Sequence, residues 1–334
     1  TEGSTMTIDG QGGTDDVIIN VRGGQTDYVI NVFDTGAPND GADTLTINGT
    51  DAGDLFLSRA NFVAYLNPDD ADGLHDEVER INYNENINGR LTINGLGGDD
   101  RFYSDDNSAI TTLDGGPGND FFQFGQMFGA ERIEPYVYAG DEISTVETTL
   151  GFLSRGISFP TVAFGGDGND EFSVYSNKAP LKLFGEDGND EFVVRAFIIK
   201  NTDELASTDT IVNGGAGDDH VQYNINAPVS IDGGAGTDTV VVVGTEADDS
   251  FVITKDGVQG AGLNIDFVQI EKLEVDGMEG DDHFFIQSTS HKLVTTIIGG
   301  LGNDTFDVGG DVTEEIVALS VEGQSAFINH SLTS

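Results

Sequence analysis

The chain has no cysteine. Disulfides, thiolate metal sites and cysteine nucleophiles are therefore excluded, and stability has to come from a core, from repetition or from metals. Positive charge is scarce as well: 14 lysines and arginines stand against 59 aspartates and glutamates in 334 residues, a formal net charge of -45. A field of that sign repels nucleic acid and anionic membranes and attracts multivalent cations. No apolar run approaches the roughly 18 residues a membrane span requires, so none is expected. No signal peptide opens the chain, and its first residue is Thr1, not methionine; this reads as a processed protein or a piece of a longer one. Sustained 3.6-residue apolar periodicity is also missing, which argues against helices.

Acidity on this scale can mean disorder. Here the acids recur at intervals instead of forming a tail, and 21 phenylalanines are interleaved with them. The charge is patterned, and the pattern is a repeat. Its clearest copies are GGPGNDFF at 115, GGDGNDEF at 165, GEDGNDEF at 185, GGAGDDHV at 214, GGAGTDTV at 233 and GGLGNDTF at 299. Looser copies are GQGGTDDV at 10, GTDAGDLF at 49, GLGGDDRF at 95, GTEADDSF at 244 and GMEGDDHF at 277.

Each copy sits between short runs rich in β-branched and aromatic residues, such as RLTIN before and FVVRA after. Strand, glycine turn, strand is the unit. Neighbouring copies start about twenty residues apart, which two short strands and two turns consume, so each copy marks one coil of a solenoid. A longer period overlies this one. The run from TLTINGTDAGDLFLS to LDGGPGNDFF resembles that from TVVVVGTEADDSFVI to IIGGLGNDTF. The array is read as an excerpt of a longer one. Gaps at about 59–90, 123–161 and 195–210 are read as irregular coils or excursions.

The turn has the chemistry of a hard-cation site. Successive glycines permit positive φ and expose carbonyl oxygens, and the aspartate two residues after the last glycine can fold its carboxylate toward them. Ca²⁺ accepts six to eight oxygens in flexible geometry, more than one turn supplies but within reach of two stacked turns. The bland alternative is that Gly-Asn-Asp clusters simply make good β-turns.

These motifs resemble the repeats-in-toxin, or haemolysin-type, calcium-binding family, whose nonapeptide is GGxGxDx followed by an apolar residue. The resemblance implies a parallel β-roll with Ca²⁺ between successive turns, in a twenty-residue variant found in very large secreted bacterial proteins. The aspartates it marks are Asp15, Asp54, Asp100, Asp120, Asp170, Asp190, Asp219, Asp238, Asp249, Asp282 and Asp304. The turn glycines of the best copies are Gly115, Gly116, Gly165, Gly166, Gly185, Gly214, Gly215, Gly233, Gly234, Gly299 and Gly300. The apolar residues expected inward are Phe56, Phe102, Phe122, Phe172, Phe192, Val221, Val240, Phe251, Phe284 and Phe306.

The chain departs from the family in period: one turn per twenty residues places the turns on one edge only. Calcium is expected mainly at consecutive turns, pairing Asp100 with Asp120, Asp170 with Asp190, Asp219 with Asp238 and Asp282 with Asp304. Carboxylates stacked at sheet spacing repel by about 3 kcal/mol per neighbouring pair at an effective dielectric near 20. Several such pairs are comparable with the roughly 5–15 kcal/mol stability of a domain. Removing cation should therefore loosen the coils.

Catalytic signatures are missing. His75, His220, His283, His291 and His330 form no HExxH or other zinc spacing, and no G-x-S-x-G element occurs. Lys178, Lys182, Arg195 and Lys200 gather near Tyr175 in an otherwise base-poor chain; strand-edge charge that discourages aggregation accounts for them, and a polysaccharide-acting site is the alternative. Sequons stand at Asn48, Asn303 and Asn329.

The expected fold is all-β, a right-handed parallel β-helix or β-roll-like solenoid with Gly-Asp calcium turns along one edge. It is one continuous array, divisible into 1–122, an irregular 123–161, 162–310 and a C-terminal 311–334. The expected function is that of a calcium-binding structural or adhesive segment, non-enzymatic, of a large secreted or surface-attached bacterial protein. Its expected partners are Ca²⁺, further copies end to end and surface glycans; the alternative is a carbohydrate-active β-helix or glycan-binding module.

Overall fold

The structure is a computed structural model that describes residues 4–23, 27–37, 40–66, 78–135, 142–201, 205–225, 227–260 and 263–309. The proposed extension 311–334, with Asn329 and His330, lies outside the described residues, as does His75.

Among the described residues there is no helix, and the strands form two sheets of 13 strands each plus a small one of three. The two large sheets, here A and B, face each other across one core. The chain alternates between them. It runs along A, turns at one edge into B, turns at the other edge back into A, and each strand pairs in parallel with its predecessor one coil earlier. Thr111 pairs with Leu91 on one side and Thr161 on the other in sheet B; Phe122 pairs with Phe102 and Phe172 in sheet A.

Alternation along each strand sends every second side chain inward. Thr44–Asn48 buries Leu45 and Ile47, and Thr239–Val243 buries Val240 and Val242. Because the same register recurs in each coil, identical residues meet. Phe56, Phe102, Phe122, Phe172 and Phe192 form a column with centroids 5.4, 4.8, 4.7 and 4.7 Å apart. Burying each ring contributes about 1.5–3 kcal/mol. Val221 and Val240 continue the column, also buried. Phe251, Phe284 and Phe306 stack in turn, but Phe306 is 48% exposed because it lies on Thr305–Val308, the last described strand of sheet B.

Two antiparallel hairpins interrupt the winding. In sheet A, Leu55–Arg59, Phe62–Leu66 and Val78–Asn82 form a meander, inserted where sheet B sets Thr44–Asn48 directly beside Arg90–Asn94. In sheet B, Ser250–Thr254, Gly257–Gly260 and Leu263–Val268 do the same. The gap 59–90 thus holds a hairpin within the sheet, not an excursion from it. The gap 123–161 holds the small antiparallel sheet of Met127–Phe128, Thr145–Glu147 and Phe152–Ser154.

The placement of all turns on one edge is corrected. Those ending at Asp54, Asp100, Asp120, Asp170, Asp190, Asp219 and Asp238 lead from sheet B to sheet A, on what we term the first edge. Those ending at Asp15, Asp249, Asp282 and Asp304 lead from A to B, on the second edge. The cause is spacing. Between Asp238 and Gly244 lies the single strand Thr239–Val243, so the chain completes half a coil before the next turn.

Candidate metal site

Each Gly-Asp turn places its aspartate with the backbone in the rim and the carboxylate tucked beneath it. On the first edge the aspartates are joined rung to rung. The N–H of Asp54 donates to Asp100 Oδ1 (2.7 Å), Asp100 to Asp120 (2.7 Å), Asp120 to Asp170 (2.7 Å) and Asp170 to Asp190 (2.8 Å). Asp190 donates to Asp219 (2.8 Å), Asp219 to Asp238 (2.9 Å) and Asp238 to Glu271 Oε2 (2.9 Å), where the column ends. The four expected pairs are therefore parts of longer ladders. Asp120 and Asp170 stack although 50 residues separate them, because the 123–161 excursion leaves and rejoins at the same rung.

The second edge carries shorter ladders of the same kind. Asp249 N–H donates to Asp282 Oδ1 (2.8 Å) and Asp282 to Asp304 (3.1 Å). Near the other end, Asp15 donates to Asp43 (2.9 Å) and Asp43 to Asn88 Oδ1 (3.0 Å). Asp43, Asn88 and Glu271 are rungs that the motif did not mark. Asp43 follows Gly41 two residues on, a faint trace of the turn signature; Glu271 has no turn glycine before it and carries no signal.

A second, outer row runs beside the first with opposite polarity. Here the N–H of each later turn donates to the earlier one: Asn119 to Asp99 (2.9 Å), Asn169 to Asn119 (2.9 Å), Asn189 to Asn169 (2.8 Å), Asp218 to Asn189 (2.7 Å) and Thr237 to Asp218 (2.8 Å). Asn303 takes the corresponding place on the second edge, donating to Asp281 (2.8 Å). The sequon residue Asn48 is also a rung, in an amide stack with Asn20 and Asn94.

The turn glycines follow from this packing. A Cβ on Gly115 would collide with Asp120 Oδ2 and crowd the carbonyl oxygen of Gly165 in the next coil. Gly165, Gly185 and Gly214 stand likewise against Asp170, Asp190 and Asp219 and against the next coil's carbonyl, and Gly299 against Asp304. At Gly233 the neighbours are Asp238 and the carbonyl of Gln269. The second glycine has left-handed backbone, φ 92° at Gly116, and Gly166, Gly215, Gly234 and Gly300 repeat it. Glu186 holds the same place with φ 76°, in a region that costs a side-chain-bearing residue about 1–2 kcal/mol.

Gly115, Gly165, Gly185, Gly214 and Gly233 therefore each border a recess shared by two oxygens, the Oδ2 of the turn's own aspartate and a backbone carbonyl of the next coil. Neither can donate a hydrogen bond to the other while the carboxylate is ionised. The Oδ2 atoms of Asp15, Asp43, Asp100, Asp120, Asp170, Asp190, Asp219, Asp238 and Asp282 are buried without a hydrogen-bond partner. No ion pair among the described residues reaches this row; Arg59, for example, pairs with Asp105 instead.

Burial sets the proton affinity. Desolvation pushes Asp100 up to about 8 and Asp120, Asp170 and Asp190 to about 7, opposed by the N–H each accepts and reinforced by neighbouring carboxylates. Asp219 rises to about 6, and Asp54, Asp238 and Asp282 also rise, for the same leading reason.

The donor set of these recesses, carboxylate and carbonyl oxygen, is that of a hard cation such as Ca²⁺. Among the described residues no three acidic or histidine side chains converge, so an ion would draw mostly on backbone carbonyls and on one carboxylate per rung.

Lys182 and Arg195, gathered in sequence, part in space. Lys182 stands on Leu181–Asp187 in sheet B, whereas Arg195 follows Glu191–Val194 in sheet A and Lys200 pairs with Glu147 at 2.5 Å. No helix is long and apolar enough to cross a membrane among the described residues. No family model matches the chain, and no curated protein matches it either.

Proposed function

We propose that the chain is a calcium-binding structural segment, a rigid spacer or adhesin body of a large secreted or surface-attached bacterial protein. One observation carries this reading, the contrast between the two rows of each turn. The outer row mixes aspartate, asparagine and threonine at Asp99, Asn119, Asn169, Asn189, Asp218 and Thr237. The inner row is aspartate at each of the eleven motif copies. Hydrogen bonding does not require this, since Asn88 accepts the N–H of Asp43 with an amide oxygen. A neutral amide would also avoid burying charge, which is costly without a partner. Ionised oxygen in that row has a use if cations share the recess. Extracellular calcium is abundant and cytosolic calcium is not, so folding driven by the ion would follow export.

Copies joined end to end fit the same reading. The first and last described turns, ending at Asp15 and Asp304, both lie on the second edge between an A strand and a B strand. In the inner row each earlier N–H donates to the later carboxylate, so a further coil of the same kind set beside either turn would continue the ladder.

Thermal melting followed by circular dichroism, first in chelator and then in millimolar Ca²⁺, tests the proposal. At a free concentration about a thousandfold above Kd, each site adds about 4 kcal/mol, so the transition should rise by tens of degrees. An unchanged transition rejects the calcium reading. A monodisperse monomer at high protein concentration in calcium rejects end-to-end assembly alone.

A further inference from the structure

The outer face of sheet A carries a groove of 590 Å³. Its floor crosses successive coils. Tyr175 comes from the coil of Glu171–Val174, Arg195 and Phe197 from the next, Gln222 and Asn224 from the strand His220–Asn224, and Glu246 from the turn beyond Thr239–Val243. At the sheet spacing of about 4.8 Å these coils span roughly 14 Å, room for a short oligomer. The small antiparallel sheet of the 123–161 excursion supplies part of the wall through Met127, and Leu150 beside it is 74% exposed.

The lining is unlike the rest of this acidic surface. Arg195 makes no ion pair among the described residues, in a chain with 59 acids. Its guanidinium carbon lies 4.4 Å from the centre of the Tyr175 ring, and Nη1 donates to Ser173 Oγ at 2.8 Å. The ring and the hydroxyl hold the cation in place, facing the groove with donors to spare. The Tyr175 and Phe197 rings lie 6.3 Å apart and within 5° of parallel, in stacked arrangement.

We propose that this groove binds a neutral oligosaccharide. A sugar hydroxyl both donates and accepts, so vicinal hydroxyls match a lining that has a donor-only cation in Arg195, an acceptor-only carboxylate in Glu246 and the amides of Gln222 and Asn224. The apolar C–H face of a pyranose packs against the apolar part of the lining, which Met127, Leu150 and Phe197 supply. A polyanion is disfavoured by the net charge of -45 and by Glu246 in the groove itself. At one end the groove meets the turn of Gly244, Thr245 and Glu246 that leads to Asp249, but none of the side chains named here is an inner-row aspartate, so the proposal does not depend on the calcium reading.

The test is calorimetric titration of the full chain in calcium-containing buffer with cellotetraose, maltotetraose and laminaritetraose, and with tetragalacturonate as the anionic probe. At least one neutral tetrasaccharide is expected to bind saturably, with affinity reduced about tenfold or more by Arg195→Gln and by Tyr175→Ala. If Tyr175→Ala disturbs the melting transition, Gln222→Ala, on the outer face of the same sheet, replaces it. The proposal is overturned if no neutral probe binds at millimolar concentration, if binding is indifferent to these substitutions, or if tetragalacturonate binds more tightly than all three.

Discussion

Asp170→Asn is expected to melt higher than the parent chain in chelator at pH 8 and to gain less from calcium, whereas Asp170→Ala is expected to melt lower in both conditions. Asp170 Oδ1 accepts the N–H of Asp120, and its Oδ2 is buried without a partner beside the carbonyl of Gly185. Asparagine keeps the acceptor, removes the buried charge and sets an amide donor where a carbonyl oxygen waits. Alanine removes the acceptor and strands a buried N–H, which costs about 1–3 kcal/mol. If the rung were only a turn device, asparagine would be neutral or stabilising under every condition. The calcium reading requires it to reverse sign, better without the ion and worse with it. Melting curves of the three proteins in chelator and in calcium decide this, and equal calcium gains in all three would remove Asp170 from the ion's ligands.

The chelated protein is also expected to lose stability as pH rises from 5 to 8. Asp100, Asp120, Asp170, Asp190 and Asp219 have folded pKa values of about 6 to 8, against an ordinary value of 3.8. Between these values the folded state holds more protons than the unfolded one, so the slope of unfolding free energy with pH is negative. The protonated carboxyl supplies the donor that its recess lacks. That stability is fully present below the unfolded pKa and is lost as pH passes through the folded values. Even about 1 kcal/mol from each of the five would lower Tm by about 7 °C in a chain of this length. Calcium requires the deprotonated form and should flatten the dependence. Melting temperatures measured at pH 5, 6, 7 and 8, above the sequence pI of 4.1, check this; a Tm that rises with pH in chelator would contradict it.

Much of this architecture was legible in the sequence because one motif states several constraints at once. The left-handed second position asks for glycine, the tucked carboxylate asks for glycine one residue earlier, and the phenylalanine two residues after the aspartate lands in the core. The twenty-residue interval then fixes the coil, and Asp100 to Asp120 and Asp170 to Asp190 are each 20 residues apart as stacked rungs. The one-edge arrangement failed because it assumed that every interval is a whole coil. From Gly233 to Gly244 only one strand intervenes, and that short interval was the visible sign of the switch.

The hairpins were missed for a different reason. A strand of a hairpin and a strand of a coil have the same apolar alternation, and only the connection tells them apart. Lys255-Asp256 is such a connection, joining strands in which Thr254 pairs with Gly257. The groove had a partial signal, since Arg195 near Tyr175 is already the basis of the polysaccharide-acting alternative, but nothing marked Gln222 or Glu246. Gln222 and Glu246 lie further along the chain, and stacking alone brings them beside Tyr175 and Arg195. The same stacking separated Lys182 from Arg195, which sequence proximity had joined.

The central claim is that the inner aspartate rows hold cations between coils. It is tested most directly by anomalous diffraction from crystals grown with calcium and soaked with a lanthanide. The account predicts peaks spaced along both edges, each about 2.3–2.6 Å from an inner-row Oδ2 such as that of Asp170 and from a carbonyl oxygen of the neighbouring coil. Maps without peaks in those rows, from crystals that diffract well at neutral pH, would contradict it and leave the aspartates as protonated rungs of a metal-free ladder.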